Sequence, residues 1–157
     1  MFLHSLFSPE FIIVDMEAED KDEAFEELVS CYCRVNHAQG REEILKALRE
    51  REAKMSTGIQ KGIAIPHGRT NAVDSIKGVL GISRKGIDYD SLDGEPVYLL
   101  FMIITPHDNS EAELLVLKRL AELLDNPAFI IDLQAQKDAV YANKVISKYE
   151  EILKAVD

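Results

Sequence analysis

Residues 56–70 read Ser56-Thr57-Gly58-Ile59-Gln60-Lys61-Gly62-Ile63-Ala64-Ile65-Pro66-His67-Gly68-Arg69-Thr70, and His67 is the group there best suited to chemistry. Ile63-Ala64-Ile65 predicts a short apolar strand. Pro66 is expected to stop it and fix the backbone angle, and Gly68 to let the chain turn sharply after the imidazole. A histidine on such rigid structure is neutral and nucleophilic near neutral pH, so it can attack a phosphoryl donor or move a proton. A bare Pro-His-Gly is also what an ordinary strand-end turn looks like, and taken alone it favours that plainer reading. Ser56, Thr57 and Gly58 supply hydroxyls and backbone N–H groups just before the strand. They are either donors for a phosphoryl group or plain turn residues.

Elements on both sides must position this histidine. Phe11-Ile12-Ile13-Val14 reads as a buried strand after Ser8-Pro9-Glu10. Asp20 followed by Glu23 has the form of a helix N-cap with a carboxylate in the first turn, and Ala24, Phe25, Leu28, Val29 and Tyr32 recur at helical spacing. After Gly40 a second helix carries Ile44, Leu45 and Leu48 and leads into Arg49-Glu50-Arg51-Glu52. Downstream of His67, Gly78–Ile82 is a second apolar run and Asp90–Pro96 a turn by composition. Val97–Ile104 is apolar throughout, as a strand covered on both faces should be. A long helix follows Pro106, with Leu114, Leu117, Leu120, Ala121 and Leu124 expected on its apolar stripe. Asn126-Pro127 breaks it. A short helix over residues 128–135 and a last one carrying Val145, Ile146, Tyr149, Ile152 and Leu153 complete the chain. Strands interleaved with helices in a chain of 157 residues predict one α/β domain over 1–157, a sheet layered by helices on both faces.

Composition narrows the function. A formal net charge of -10 argues against nucleic-acid binding, which needs a basic face, and against an anionic membrane surface. It suits a basic protein partner, and equally suits mere solubility. Cys31 and Cys33 point to different faces of a helix, so no bridge is expected between them; with no second ligand pair at zinc spacing, they read as reduced and structural. The longest early apolar run is too short to span a bilayer, and no signal peptide is visible, so a cytoplasmic protein without membrane insertion is expected. No nucleotide-binding glycine loop is present, the acidic cluster from Glu17 to Glu23 reads as a solvated helix start, and His4 and His37 read as solvated; neither cofactor nor metal is expected.

The string from Gly58 through Ile63-Ala64-Ile65-Pro66-His67-Gly68 resembles the signature of the fructose/mannitol-type IIA domains of the bacterial phosphotransferase system. The opening Leu6–Asp15 and the helix after Asp20 look most like the nitrogen-regulatory branch. The resemblance covers nearly the whole chain. It implies an α/β/α sandwich around a mixed sheet, with His67 phosphorylated on Nε2 by a small HPr-like phosphocarrier. The phosphoryl group then passes to a IIB domain, or the protein signals to a regulatory target. It also implies a role for Arg51, because the family carries an arginine sixteen residues before its histidine (positions 51 and 67 here), inside an Arg-Glu pair that Arg51-Glu52 matches. A guanidinium is permanently charged and can grip two phosphoryl oxygens at once. Arg69, directly after the string, is expected at water or on a docking rim. Three functions stay open: a regulatory phosphoryl carrier, a sugar-uptake IIA component, and a IIA-like binding module whose transfer chemistry has decayed.

One departure bears on that choice. The family commonly places a second histidine early in the long helix, and here that position falls on Glu113. A carboxylate repels a phosphoryl group where a neutral histidine donates to it, by about 1 kcal/mol at 4 Å in water and several-fold more in a partly buried cleft. Three arrangements fit Glu113: paired with Arg51 at rest and swinging away on phosphorylation, held protonated by burial and donating, or a mark of lost onward transfer. His107, six residues earlier (positions 107 and 113), is the only nearby candidate to replace the missing histidine.

Overall fold

The computed structural model describes residues 2–156. Its elements run α1 (Leu3–Leu6), a 3-10 turn (Pro9–Phe11), β1 (Ile12–Ile13), α2 (Lys21–Asn36), α3 (Arg41–Lys54), β2 (Gly58–Gln60), β3 (Ile63–Ala64), β4 (His67–Arg69), β5 (Lys77–Ile87), β6 (Val97–Thr105), α4 (Ser110–Leu124), α5 (Pro127–Gln134) and α6 (Ala139–Val156). The strands form one mixed sheet in the order β1-β5-β6-β3-β2, with β4 also paired to β6. β5 and β6 are antiparallel, while β1 runs parallel to β5, and β3 and β4 run parallel to β6.

The central strand β6 explains the layering. Successive side chains of a strand point to opposite faces. Leu100, Met102 and Ile104 belong to a core with Phe25, Leu28, Val29, Ile44, Leu45 and Leu48 of α2 and α3. Leu99, Phe101 and Ile103 belong to a second core with Val116, Leu120 and Leu123 of α4, Phe129 of α5 and Ile146 of α6. The expected α/β/α sandwich is therefore present, and its central strand is apolar from Leu99 to Ile104 because both of its faces are covered.

Local signals place the helix ends. The Asp20 carboxylate accepts the Glu23 N–H at 2.9 Å at the start of α2, and the Asn126 side chain accepts the Ala128 N–H at 3.0 Å with Pro127 at the first helical position of α5. Gly40 opens α3 in the left-handed region at φ 98, where a side chain would be strained.

Several expectations shift. The first strand shrinks to Ile12–Ile13 because Pro9–Phe11 coils into a 3-10 turn. The apolar stripe of α4 is rotated from the expected one. Glu113, Val116, Leu120 and Leu123 are its buried residues, whereas Leu114 is exposed. Leu114-Leu115-Val116-Leu117 is apolar around most of a turn, so periodicity alone does not select a face. His4 is not simply solvated: its Nδ1 meets the Glu150 carboxylate at 2.8 Å, and that carboxylate also accepts the Leu3 and His4 N–H groups, tying α1 to α6. His37 is exposed, in the left-handed position that ends α2. Cys31 is buried and both cysteines are free, with burial pushing both thiols up and away from thiolate.

Candidate functional site

The first strand, β3, stops at Ala64, just before Ile65-Pro66, as expected. A separate short strand, β4, begins directly after the proline, with His67, Gly68 and Arg69 paired to Ile103, Ile104 and Thr105 of β6. His67 thus opens a strand instead of closing one. Residues opposite one another in a ladder share a face. His67 and Arg69 therefore point to the side where Ile103 packs with α4, and Gly68 points to the side of Ile104 and α3.

That geometry corrects the reading of Gly68. It makes no turn. A Cβ placed on it would lie 2.8 Å from the backbone carbon and 2.9 Å from the backbone oxygen of Ala47. Glycine is required because β4 and α3 approach backbone to backbone. The close approach carries the rest of α3 to the histidine: Ala47, Glu50, Arg51 and Lys54 lie at helical spacing on one face, and all of them line the cleft that holds His67. This open cleft of about 720 Å³ is completed by Gly68, Arg69, Ala53 and Glu113.

His67 is oriented by its own strand. Its Nδ1 lies 2.7 Å from the Ile65 carbonyl oxygen. A carbonyl can only accept, so the proton sits on Nδ1, and in the neutral ring Nε2 keeps its lone pair. Arg51 Nη1 donates to the Met55 carbonyl at 2.8 Å, which steadies the guanidinium at the C-terminal end of α3.

Glu113 reaches this cleft from the first turn of α4, but its partner is not Arg51. Arg69 Nε donates to Glu113 Oε2 at 2.9 Å and Arg69 Nη2 to Oε1 at 3.3 Å, a two-pronged pair. Glu113 is 8% exposed at its side chain and Arg69 45%. The pairing pushes the Arg69 pKa higher still, so the guanidinium stays charged. Arg69, expected at water or on a rim, is exposed and also lines the cleft. The signal that could have found it is strand alternation: with β4 recognised, position 69 must share a face with position 67.

Ser56, Thr57 and Gly58 have a different place. Thr57 is buried, its hydroxyl donating to Glu52 Oε1 at 2.6 Å and its N–H to Oε2 at 2.9 Å. Tyr89 OH lies 2.7 Å from the same hydroxyl, and Lys21 Nζ is 3.1 Å from Glu52. Ser56 Oγ accepts the Gly58 N–H at 3.1 Å, and a Cβ on Gly58 would strike the Tyr89 ring at 2.7 Å. The three residues fix the segment after α3 and are not among the cleft's lining residues. Burial alone would push the Glu52 carboxyl up; the Thr57 hydroxyl, the Thr57 N–H and Lys21 outweigh it and hold the pKa below its ordinary value. Burial next to this carboxylate drives the Tyr89 phenol upward, so it stays a hydroxyl. His107 is exposed, with its backbone N–H on Asn71 Oδ1 at 3.1 Å, and it does not line the cleft. Among the described residues no group of His, Cys, Asp and Glu side chains is arranged to hold a metal ion, and no helix is long and apolar enough to cross a membrane.

A mixed sheet between helical layers, with one histidine opening a short parallel strand in a cleft of cations and carboxylates, defines the class: α/β/α domains of the IIA kind. The chain belongs to the family "Phosphoenolpyruvate-dependent sugar phosphotransferase system, EIIA 2", which it matches over residues 5–149. It is 35% identical over 124 residues to the "PTS system fructose-specific EIIABC component" of Bacillus subtilis, covering 79% of this chain but only 20% of that longer protein. It is 30% identical over 139 residues to the "Nitrogen regulatory protein" of Bradyrhizobium diazoefficiens, covering 88% of this chain and 90% of that one. The fold matches the crystal structure of nitrogen regulatory protein IIA-Ntr from Neisseria meningitidis with a TM-score of 0.84 at 28% identity, over 92% of this chain and 98% of that one.

Proposed function

We propose that residues 1–157 act as one cytoplasmic IIA unit that accepts a phosphoryl group from an HPr-like phosphocarrier on Nε2 of His67. The observation that carries this reading is the Nδ1–H bond to the Ile65 carbonyl, which leaves the Nε2 lone pair as the ring's nucleophile. In the step itself, that lone pair forms the new N–P bond as the donor's N–P bond breaks. The electron pair of the broken bond stays on the donor ring, which, protonated on its other nitrogen, leaves as neutral imidazole. The proton of His67 remains on Nδ1, held by the carbonyl.

The arriving group carries close to two negative charges and needs donors aimed at its oxygens. Arg51 is that donor from α3. The phosphorylated protein then serves as a regulator that binds target proteins according to its state. Nearly end-to-end similarity to a nitrogen regulatory protein supports this choice. A second reading, a sugar-uptake component that passes the group to a IIB domain, is favoured by the 35% identity to a fructose-specific protein.

The test mixes the purified protein with phosphoenolpyruvate, enzyme I and an HPr-like carrier and maps phosphate by mass spectrometry under base-stable conditions. One acid-labile phosphate on His67 is expected, absent from His67→Ala while the fold is retained. Full labelling of His67→Ala rejects the reading. Adding a IIB domain separates the two roles: rapid loss of label to it marks the sugar type.

A further inference from the structure

We propose that Arg69 is a second phosphoryl-binding guanidinium of this cleft, and that Glu113 is the positioning residue that holds it there and gives it up on phosphorylation. The proposal rests on His67 being the phosphoryl acceptor. Three observations carry it. Arg69 lies two residues beyond His67 on the same strand, so both side chains leave β4 on one face, toward α4. Its guanidinium donates two hydrogen bonds to a side chain that is 8% exposed, so it is fixed while its own outer surface remains in the cleft. And its present partner is a planar pair of anionic oxygens, which a phosphoryl group offers in the same fork geometry.

The exchange has a direction. A dianionic group on Nε2 outcompetes a monoanionic carboxylate for the same fork, while the carboxylate, left unpaired beside it, opposes the phosphorylated state. The remaining charges facing this point are Arg51, Lys54 and Glu50 from α3. The phosphohistidine is therefore formed against the cost of breaking one charged pair. The carboxylate replaces no lost histidine donor; it sets how completely the protein is phosphorylated at a given supply of donor. No atom changes owner in this exchange beyond the phosphoryl transfer itself.

The experiment uses the full chain, nitrogen-15 labelled, with phosphoenolpyruvate, enzyme I and an HPr-like carrier. The Arg69 Nε–H resonance is assigned by its loss in Arg69→Lys, and the degree of His67 phosphorylation is read on the same sample by mass spectrometry. Phosphorylation is expected to shift that resonance. Glu113→Gln, which keeps the shape and removes the charge, is expected to shift it already at rest and to raise the ratio of phosphorylated to free protein at limiting donor by about tenfold, the equivalent of one hydrogen bond to a charged group. Arg69→Lys, retaining charge without the fork, is expected to lower that ratio. An Arg69 resonance unmoved in protein fully phosphorylated on His67, or an unchanged ratio in Glu113→Gln, overturns the proposal. Absence of label from His67 in the parental protein overturns the carrier reading itself, so the two failures are distinct. Thermal melts of both variants check that any change does not come from unfolding.

Discussion

At the scale of single residues, the cleft separates groups by how they are held. His67 is oriented by its own backbone and Arg51 by the end of its own helix, so both are set by local structure. Arg69 and Glu113 orient one another across forty-four positions of sequence. Arg51→Lys keeps the positive charge but loses the fork. Single-turnover transfer from a phosphorylated carrier should slow by about tenfold or more, in line with one charged hydrogen bond. Transfer at the parental rate in Arg51→Ala would leave Arg51 as a surface residue only.

At the scale of elements, the contact of β4 with α3 brings nucleophile and guanidinium together. Gly68→Ala should cost about 1–3 kcal/mol of stability, as an inserted methyl does in a packed site. It should slow transfer as well, because α3 carries Arg51. Ala47→Gly should not rescue it, since the clash is with the backbone atoms of Ala47 and not only its methyl. Chemical denaturation of the single and double variants, run beside the transfer assay, checks both statements. The second joint is the buried Glu52, which ties the end of α3 to Thr57, Tyr89 and Lys21. Its pKa in the folded protein is held below the ordinary 4.5. Such a group stabilises the fold fully above the unfolded value, and the contribution is lost as pH falls through the folded value. Glu52→Gln should lower stability at neutral pH by about 1–3 kcal/mol. It should also flatten the decline on acidification as pH falls through and below the ordinary 4.5. Melting curves at neutral and acid pH measure both effects, and parallel curves for parent and variant would refute the assignment.

At the scale of the whole molecule, β6 is the shared wall of two cores. Phe101 is fully buried in one of them, edge-on to Phe7 with ring centroids 5.6 Å apart. Phe101→Ala should cost about 3–5 kcal/mol. That is a large share of the roughly 5–15 kcal/mol available to a domain. Leu114→Ser, on the exposed side of α4, should change stability by less than about 0.5 kcal/mol. Leu120→Ser, on the buried side, should be severely destabilising. Denaturant titration of the three variants tests the orientation of α4, and with it the placement of Glu113 in the cleft. Equal costs for Leu114 and Leu120 would reject that orientation.

The local string Ile63–Gly68, the capping residue Asp20, the periodic faces of α2 and α3 and the unbroken apolar run of β6 are short-range patterns. They located the main helices, the central strand and the layering of a sheet by helices, because spacing along a chain maps directly onto a helix face or a strand pair; the short elements α1, β2 and β4 carry no such pattern. The family resemblance pointed to Arg51, and the approach of α3 to β4 places it in the cleft lining. What the chain alone left open was rotation and pairing. α4 is apolar around most of a turn, so only packing against β6 chose the face that buries Glu113. Pro66 breaks the strand as it looked to, but β6 supplied partners on its far side for a second strand, which made Gly68 a contact residue and put Arg69 on the face of His67. Thr57 stayed open between a phosphoryl donor and a plain turn residue until the fold delivered Glu52 and Tyr89 to it. Each of these depends on which distant segment arrives, and a side chain's chemistry is set by the neighbour that reaches it.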